Sequence, residues 1–424
     1  MADVRRQKPK NVPSLEPDTD DRLPTIYLRP GEADRILAGH PWVYEGCILR
    51  TTRPPADGEP VQVKDHRRRL LGVGFFNSKS KIRVRILSRE RVELDEFFFE
   101  RRLRAALEHR QRFLPGASSY RLVNAEGDLL SGLIVDKYED VLVLQTSSLG
   151  LDQRKHLIVR VLERLLRPRA ILERNDMGSR KFEGLPESSG LLSGNLLEAE
   201  QSALPVVING MRFEVNVSSG HKTGLYLDQQ VNQALVAGLA KGAKVLDAFT
   251  FIGGFALQAA KAGASSVLAV DQSEDAIGIG RRLASANGVA STCTFETANV
   301  FDWLRARTAP PSALNPPPPA FDLVILDPPS FTRNRAAVPD ALRGYKEIHL
   351  RALRILRPGG ILATFCCSHH VDARTFETAI GEAAFDAHRP LRRLATYTQG
   401  PDHPILPAVP ETEYLKGFAY EILP

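Results

Sequence analysis

The sequence predicts a predominantly α/β chain in three parts: a β-rich N-terminal module, a small α+β segment, and a mostly parallel, doubly wound sheet filling the C-terminal half. Two observations predict the sheet. The short apolar runs KVLDAF (244–249), SVLAVD (266–271), FDLVILD (321–327) and GILATFCCS (360–368) are separated by segments long enough for crossover helices. The last three end in Asp271, Asp327 and the pair Cys366-Cys367, and strand ends are where open α/β sheets hold ligands. A third observation separates the parts: before residue 220 the apolar runs are short and strand-like, with only scattered helical stretches.

In chain order, residues 1–22 mix both charge signs with Pro and Asp, show no apolar period, and read as a disordered tail. Residues 23–92 form the β-rich module, with PVQVKD, LLGVGFF and the alternating KIRVRIL (81–87) as strands and a helix-like GEADRILAGH. Residues 93–200 carry a helix over 95–113, then YRLVNAEGDLLSGLIVDKYEDVLVLQTSS as two or three strands turning at Glu126-Gly127-Asp128 and Lys137-Tyr138-Glu139-Asp140. A helix at about 152–166 and the strand AILERND come next, with an apolar-polar alternation over 205–217 leading into the domain assigned to 201–424. Residue types alone give the middle segment no chemistry. Arg174, Asn175, Asp176 and Arg180 suit an RNA path or turn and surface roles equally.

Composition narrows the class. The chain has 424 residues, 43% of them hydrophobic, enough for more than one core. No 18 consecutive residues are apolar and the N-terminus lacks the apolar stretch of a signal peptide, so a cytoplasmic protein with no membrane contact is expected. The four cysteines form no CxxC pair, which indicates neither disulfides nor a metal site. The formal charge is +6, and the excess is clustered in His66-Arg67-Arg68-Arg69, Arg101-Arg102-Arg104 and Arg389, Arg392, Arg393. Such clusters attract phosphate backbones without reading sequence, or simply form a solvated surface, and charge does not choose between the two.

The first C-terminal strand runs into Phe249-Thr250-Phe251-Ile252-Gly253-Gly254-Phe255, where glycines let a ligand approach the backbone and the next helix N-terminus. Asp271, about twenty residues on, is placed to accept from a ribose diol. Nicotinamide enzymes show a similar loop and acid. The absence of GxGxxG leans toward a cofactor without a pyrophosphate, S-adenosylmethionine, with Asn299-Val300-Phe301-Asp302 supplying an acceptor near its adenine.

Two resemblances sharpen this reading. LRPGEADRILAGHPWVYEGCIL resembles the start of a PUA domain, an RNA-binding pseudo-barrel, with Trp42 as a core anchor. Residues 24–424 resemble the bacterial 23S rRNA 5-methylcytosine methyltransferase I family on GHPWVYEG (39–46), SGHKTGLYLDQQ (219–230), LDAFTFIGGF (246–255), LDPPSF (326–331), CCS (366–368) and DHPILPAVPETEYLKGF (402–418). The resemblance implies a PUA domain, a small middle domain and a Rossmann-like class I methyltransferase domain that uses S-adenosylmethionine on 23S rRNA or a large-subunit precursor. It needs no metal and leaves a homodimer open. It implies that Lys222, Thr223 and Tyr226 belong to a segment closing over the cofactor and that Asp228 and Gln229 hold its backbone or methionine end. Asp247, Phe249 and Gly253 would flank the methionine, Asp271 the ribose and Asn299 the adenine amine. Asn299 stands where the family usually has Asp; its amide oxygen still accepts, without charge.

The residues also speak to the chemistry. Carbon 5 of cytosine is a poor nucleophile, so a thiolate must first add at carbon 6. Cys366 and Cys367 are adjacent on a strand and point to opposite faces, so only one can face a pocket. The family's Cys-Ser pair selects Cys367 as nucleophile. Asp327, also counted among the cofactor contacts, is expected to bind the base's Watson-Crick edge, and Pro328-Pro329 to stiffen the turn. His369, His370 and a water relayed by Asp327 are open alternatives for removing the carbon 5 proton. Ser330 comes after Pro329 where a second RNA methyltransferase branch has a cysteine, which argues for a single-cysteine mechanism. An N-methyltransferase, which would not need Cys367, and a noncatalytic RNA-binding protein are the rival readings.

Overall fold

The computed structural model describes residues 22–219, 223–308, 320–332 and 334–424. Expectations for residues 1–21 and for Lys222 fall outside these. The chain divides after Leu94 into two compact units.

The first unit is a six-stranded sheet from Thr25–Leu28, Trp42–Tyr44, Ile48–Thr51, Pro60–Lys64, Leu70–Phe76 and Ile82–Ser88, closed over Ile26, Leu28, Ile36, Val43, Val61, Val63 and Val84. Only Asp34–Ala38 of the helix-like segment is helical. Strand alternation places Val43 in this core at 1% exposure, so Trp42 falls on the other face and is no core anchor. There it is half-buried, its ring edge-on to His40 at 5.1 Å and 5.5 Å from the Arg85 guanidinium. His66 to Arg69 lie exposed in the connection between two strands, where the Asp65 carboxylate accepts from the Arg67 and Arg69 amides.

The second unit opens with the helix Glu96–Phe113, started by the Asp95 side chain accepting from the Phe98 amide. Next comes a five-stranded sheet in the spatial order Ser188–Gly194, Ala170–Asn175, Val141–Thr146, Leu133–Tyr138, Ser119–Asn124. Arg174, Asn175 and Arg180 are buried, which removes their surface and RNA-path readings, whereas Asp176 is exposed and pairs with Arg174. Arg180 donates to the Pro186 carbonyl at 2.8 Å and pairs with Asp152 at 2.9 Å, so its charge serves internal satisfaction. The hairpin Leu204–Ile208/Met211–Val215 turns at Asn209-Gly210, both left-handed, as a two-residue turn requires.

The C-terminal sheet has seven strands: β1 Lys244–Ala248, β2 Ser266–Asp271, β3 Cys293–Thr297, β4 Phe321–Leu326, β5 Leu356–Cys366, β6 Leu391–Thr398 and β7 Lys416–Ile422. Their order is β3-β2-β1-β4-β5-β7-β6, all parallel up to β5, with β7 antiparallel between β5 and β6. The helices α1 Gln230–Ala237, α2 Gly254–Lys261, α3 Glu274–Ala286, α4 Val300–Thr308, α5 Val338–Ile355 and α6 Ala373–Ala387 cover its two faces. The order reverses between β1 and β4, the switch point at which such sheets bind ligands. Among the described residues no helix is long and apolar enough to cross a membrane.

Candidate active site

Strand alternation assembles the site. Val245, Val267, Ala269, Leu323, Ile325, Ala363 and Phe365 pack into one core, whereas Leu246, Ala248, Val270, Val324, Leu326, Leu362 and Cys366 pack into the core on the other face. Asp247, Asp271, Asp327 and Cys367 continue the first set at the carboxyl ends of β1, β2, β4 and β5, so all four share one face at the switch point. Cys367 is partly buried against this core. Cys366 is fully buried on the opposite face, its thiol 3.3 Å from the Tyr345 hydroxyl.

The loop after β1 turns back on itself through two left-handed residues, Phe249 (φ 65°) and Phe251 (φ 52°). Such backbone costs about 1 kcal/mol or more per non-glycine residue. The twist lets the Thr250 hydroxyl donate to Asp247 Oδ2 at 2.5 Å and the Phe251 amide donate to Asp271 Oδ2 at 2.9 Å. The glycines also answer to packing here. A Cβ on Gly253 (φ +93°) would lie 2.9 Å from the Phe295 ring, and one on Gly254 would lie 2.4 Å from the Gln233 amide.

Asp247 is fully buried, and its carboxyl is pushed up to about 7 by burial, with the Thr250 and Ala256 hydrogen bonds opposing and the Asp271 charge adding to the rise. Its Oδ2 takes two donors, whereas its buried Oδ1 has no hydrogen-bond partner among the described residues. A buried acceptor left unpaired at a ligand face fits a donor from outside the chain, such as the ammonium of a methionine moiety. Asp271 takes one backbone donor on each oxygen, Phe251 on Oδ2 and Ser273 on Oδ1, leaving acceptor capacity for a diol. Asn299 is exposed and starts α4, its side-chain oxygen accepting from the Asp302 amide at 3.3 Å. Phe249, Phe301 and Phe331 form an aromatic group beside it, with ring centroids 5.6–6.4 Å apart.

The segment before α1 faces the same site. Gln229 donates from Nε2 to Asp327 Oδ1 at 3.1 Å, and Asn232 donates to Gln229 Oε1 at 2.7 Å, which fixes the amide's orientation. The structure thus brings Gln229 to the carboxylate of the Asp-Pro-Pro turn. Asp228 is buried and accepts from the Tyr414 hydroxyl at 2.7 Å, and burial and that carboxylate push the Tyr414 phenol up. Tyr226, 39% exposed and edge-on to Phe251 at 5.5 Å, is pushed up to about 12 by burial, then by the charges of Asp327, Asp228, Cys367 and Asp271. One phenol therefore feels four of the groups that strand and segment geometry deliver here.

Several contacts escaped sequence reasoning. Ser330 and Ser368 hydroxyls are 2.9 Å apart, Ser330 also donates to the Thr332 carbonyl at 2.8 Å, and Tyr345 lies 3.0 Å from Ser368. These bonds tie the Asp-Pro-Pro turn to the end of β5. Lys416 donates to the Ser368 carbonyl at 2.7 Å; burial pushes its amine down, while Cys366, Cys367, Glu413 and Asp372 push it back up. Tyr414 and Lys416 lie in the motif at 402–418, but their role depends on β7 inserting antiparallel beside β5, which no local pattern announces. His369 is pushed below its ordinary value by burial and by Lys416 and His370, so it is a neutral imidazole at pH 7. Among the described residues no three His, Cys, Asp or Glu side chains cluster to hold a metal ion.

Comparisons with known proteins bear on the fold and the family. Residues 26–89 match the PUA-like domain family and residues 179–404 the S-adenosylmethionine-dependent methyltransferase family. The chain is 39% identical over 403 residues to a ribosomal RNA large subunit methyltransferase I of Shewanella amazonensis, covering 94% of this chain and 99% of the relative. It is 38% identical over 400 residues to the protein of that name from Tolumonas auensis, covering 93% and 98%. Among solved structures, a Streptococcus mutans protein assigned as a SAM-dependent methyltransferase superposes with a TM-score of 0.77 at 20% identity, over 94% of this chain and 99% of that one. Another, complexed with S-adenosylhomocysteine (SAH), gives 0.78 at 20% identity over the same shares.

Proposed function

The chain belongs to the ribosomal RNA large subunit methyltransferase I family, with a PUA-like domain and an S-adenosylmethionine-dependent methyltransferase domain, and we propose that it forms 5-methylcytosine in 23S rRNA through a Cys367 adduct. The supporting observation is the shared face of Asp327 and Cys367 at adjacent strand ends, with Cys366 turned away.

Asp247 would hold the cofactor's ammonium at Oδ1, Asp271 its ribose and Asn299 its adenine, with Tyr226 beside them on the segment before α1 and Thr223 buried behind it. Bound there, S-adenosylmethionine supplies an electrophilic methyl group. The chain's own residues prepare the base. The target cytosine is unstacked from the RNA so that its ring edge reaches the strand ends. The Cys367 thiolate adds to carbon 6, breaking the ring's 5,6 double bond. Electron density moves toward ring nitrogen 3, which takes up a proton from water; Asp327 accepts from that N–H, and the proton is lost again when the thiolate leaves. Carbon 5 thereby becomes a nucleophile. Once carbon 5 carries the methyl group, loss of its proton to a base lets the carbon–sulfur bond break, restoring the double bond and the thiolate.

The Asp247 assignment predicts a pH dependence. Ligand-free, the carboxyl holds its proton up to about pH 7, whereas an ammonium at Oδ1 favours the ionised form. SAH affinity should therefore rise between pH 5 and 7, by up to about tenfold per pH unit, and level off above. Titration calorimetry on the wild type and Asp247→Asn reads this directly, and a pH-independent wild-type affinity refutes the assignment. The shift also has a stability sign. Because the folded value lies above the ordinary 3.8, stability contributed by the neutral carboxyl is present below about pH 4 and lost as pH rises through about 7.

Phosphate contacts would come from exposed arginines. Arg67 and Arg68 are exposed in their turn, whereas Arg392 and Arg393 pair with Glu421 and Glu377 and contribute less field. RNA affinity should fall steeply with added salt, and Arg67→Ser/Arg68→Ser should lower the log–log slope by about 1–2. A filter-binding series at several salt concentrations measures it; an unchanged slope removes these arginines from the interface.

A further inference from the structure

We propose that the five-stranded sheet positions the methyl-transfer site, with Asp136 and Tyr138 as positioning residues that act through Thr223. The proposal rests on the reading of residues 223–229 as the segment facing cofactor and base.

Strand Leu133–Tyr138 buries Asp136 and Tyr138 completely, two residues apart on one face. A buried carboxylate is costly unless it is paired and hydrogen-bonded. Here Arg121 donates to both oxygens, at 2.8 and 2.9 Å, and Thr223 donates its hydroxyl to Oδ2. Burial opposes the charge on Asp136, but Arg121 and Thr223 hold its carboxyl below the ordinary value.

The donors and acceptors present fix the direction of these bonds. The Tyr138 hydroxyl accepts from the Leu225 amide at 3.1 Å, and its single proton is then directed to Thr223 Oγ1, also at 3.1 Å. Thr223 in turn gives its proton to Asp136. Each hydroxyl donates once and accepts once, so the chain Tyr138 to Thr223 to Asp136 is complete and has one polarity. Between its two contacts on the segment sits Gly224, at φ +147°, where an added Cβ would lie 2.2 Å from Val215 Cγ1 and 3.3 Å from the Tyr138 hydroxyl. Residues 223 to 225 are thus held from the sheet by hydroxyl, close backbone approach and amide in succession.

The residues next in the chain give this anchoring a function. Tyr226 comes directly after Leu225, and Gln229, three residues further, presents its amide to Asp327. A second tie has the same origin: the Arg121 amide donates to Asp402 Oδ2 at 3.0 Å, and Gln230 donates to the same oxygen at 3.0 Å. The sheet therefore grips the segment on both sides of the residues that face the site. Core packing alone asks for none of this polarity, since an apolar pair of similar volume would fill the space without burying a charge.

The test is a double-mutant cycle on SAH affinity in the full-length protein, measured by titration calorimetry with Tyr138→Phe, Thr223→Val and the double variant. Both substitutions keep volume and remove one hydroxyl, and Asp136→Asn serves as a further variant that acts on the same threonine. Tyr138→Phe and Thr223→Val are each expected to weaken SAH about tenfold, with Tyr138→Phe adding less than about twofold on the Thr223→Val background. Additive losses, near a hundredfold in the double variant, overturn the route through Thr223. Unchanged affinity in Tyr138→Phe together with a loss in Thr223→Val overturns the role of the sheet alone. Unchanged affinity in Thr223→Val overturns the assignment of the segment itself.

Discussion

Cys367→Ala is expected to lower 5-methylcytidine formation by at least about a thousandfold while leaving SAH affinity unchanged, because without a thiolate adduct carbon 5 of cytosine has no route to nucleophilic character. Among the described residues, neither Cys366 nor Ser330 can take its place. Cys366 is at 0% exposure on the opposite face of β5, against the Tyr345 hydroxyl. Ser330 stands beside the site, but its hydroxyl is engaged with Ser368 and the Thr332 carbonyl and is a far weaker nucleophile than a thiolate. Cys366→Ala should therefore keep activity within a few-fold, losing about 1 kcal/mol of stability from the missing sulfur in a packed core. Mass spectrometry of 23S rRNA nucleosides after incubation with isotopically labelled cofactor reads both variants. Comparable activity in the two would sink the adduct, and a labelled N-methyl nucleoside would replace the reaction class altogether.

The sequence made the doubly wound sheet legible because β1, β2, β4 and β5 are buried on both faces and read as continuous apolar runs bounded by chemistry-bearing residues. It left β3, β6 and β7 unread. CTFET in β3 is short and polar at alternate positions, and LRRLATYT in β6 is an edge strand whose arginines resemble a solvated loop. The split between Cys366 and Cys367 came from the two-residue period of any strand. The partners of those cysteines did not, since Tyr345 lies on α5 and Lys416 on β7, and only the tertiary fold joins them to β5.

One misplacement and one ambiguity are instructive for physical reasons. Trp42 is large and apolar, which favours a core position, yet a strand offers alternate residues to alternate faces and the core side here belongs to Val43. Gly253 and Gly254 suggest a cradle for a ligand, but glycine is equally demanded by a left-handed turn crowded by Phe295 and by the Gln233 amide. Composition could not separate those causes. The middle segment was mute because its arginines and aspartates are ordinary surface residues in most proteins, and only burial reveals that Arg121 and Asp136 face each other and the segment at Thr223.

Asp327→Asn is expected to reduce kcat by about a hundred- to a thousandfold, with SAH affinity changed less than about threefold. The loss comes from orientation as much as from charge. Asn232 holds Gln229 Oε1, so Gln229 must present its NH2 group to residue 327. An amide there turns its oxygen toward Gln229 and leaves its own NH2 group facing the base edge. That group would meet the amine of cytosine and the proton gained at ring nitrogen 3, donor against donor, where the carboxylate accepted from both. Gln229→Leu removes the constraint and lets the amide turn its oxygen toward the base. The double variant Asp327→Asn/Gln229→Leu should therefore recover about tenfold of the lost kcat although it carries one more defect, a result that single-turnover methylation assays can read. If the double variant is slower than Asp327→Asn alone, Gln229 does not orient the carboxylate, and Asp327 acts through its charge only.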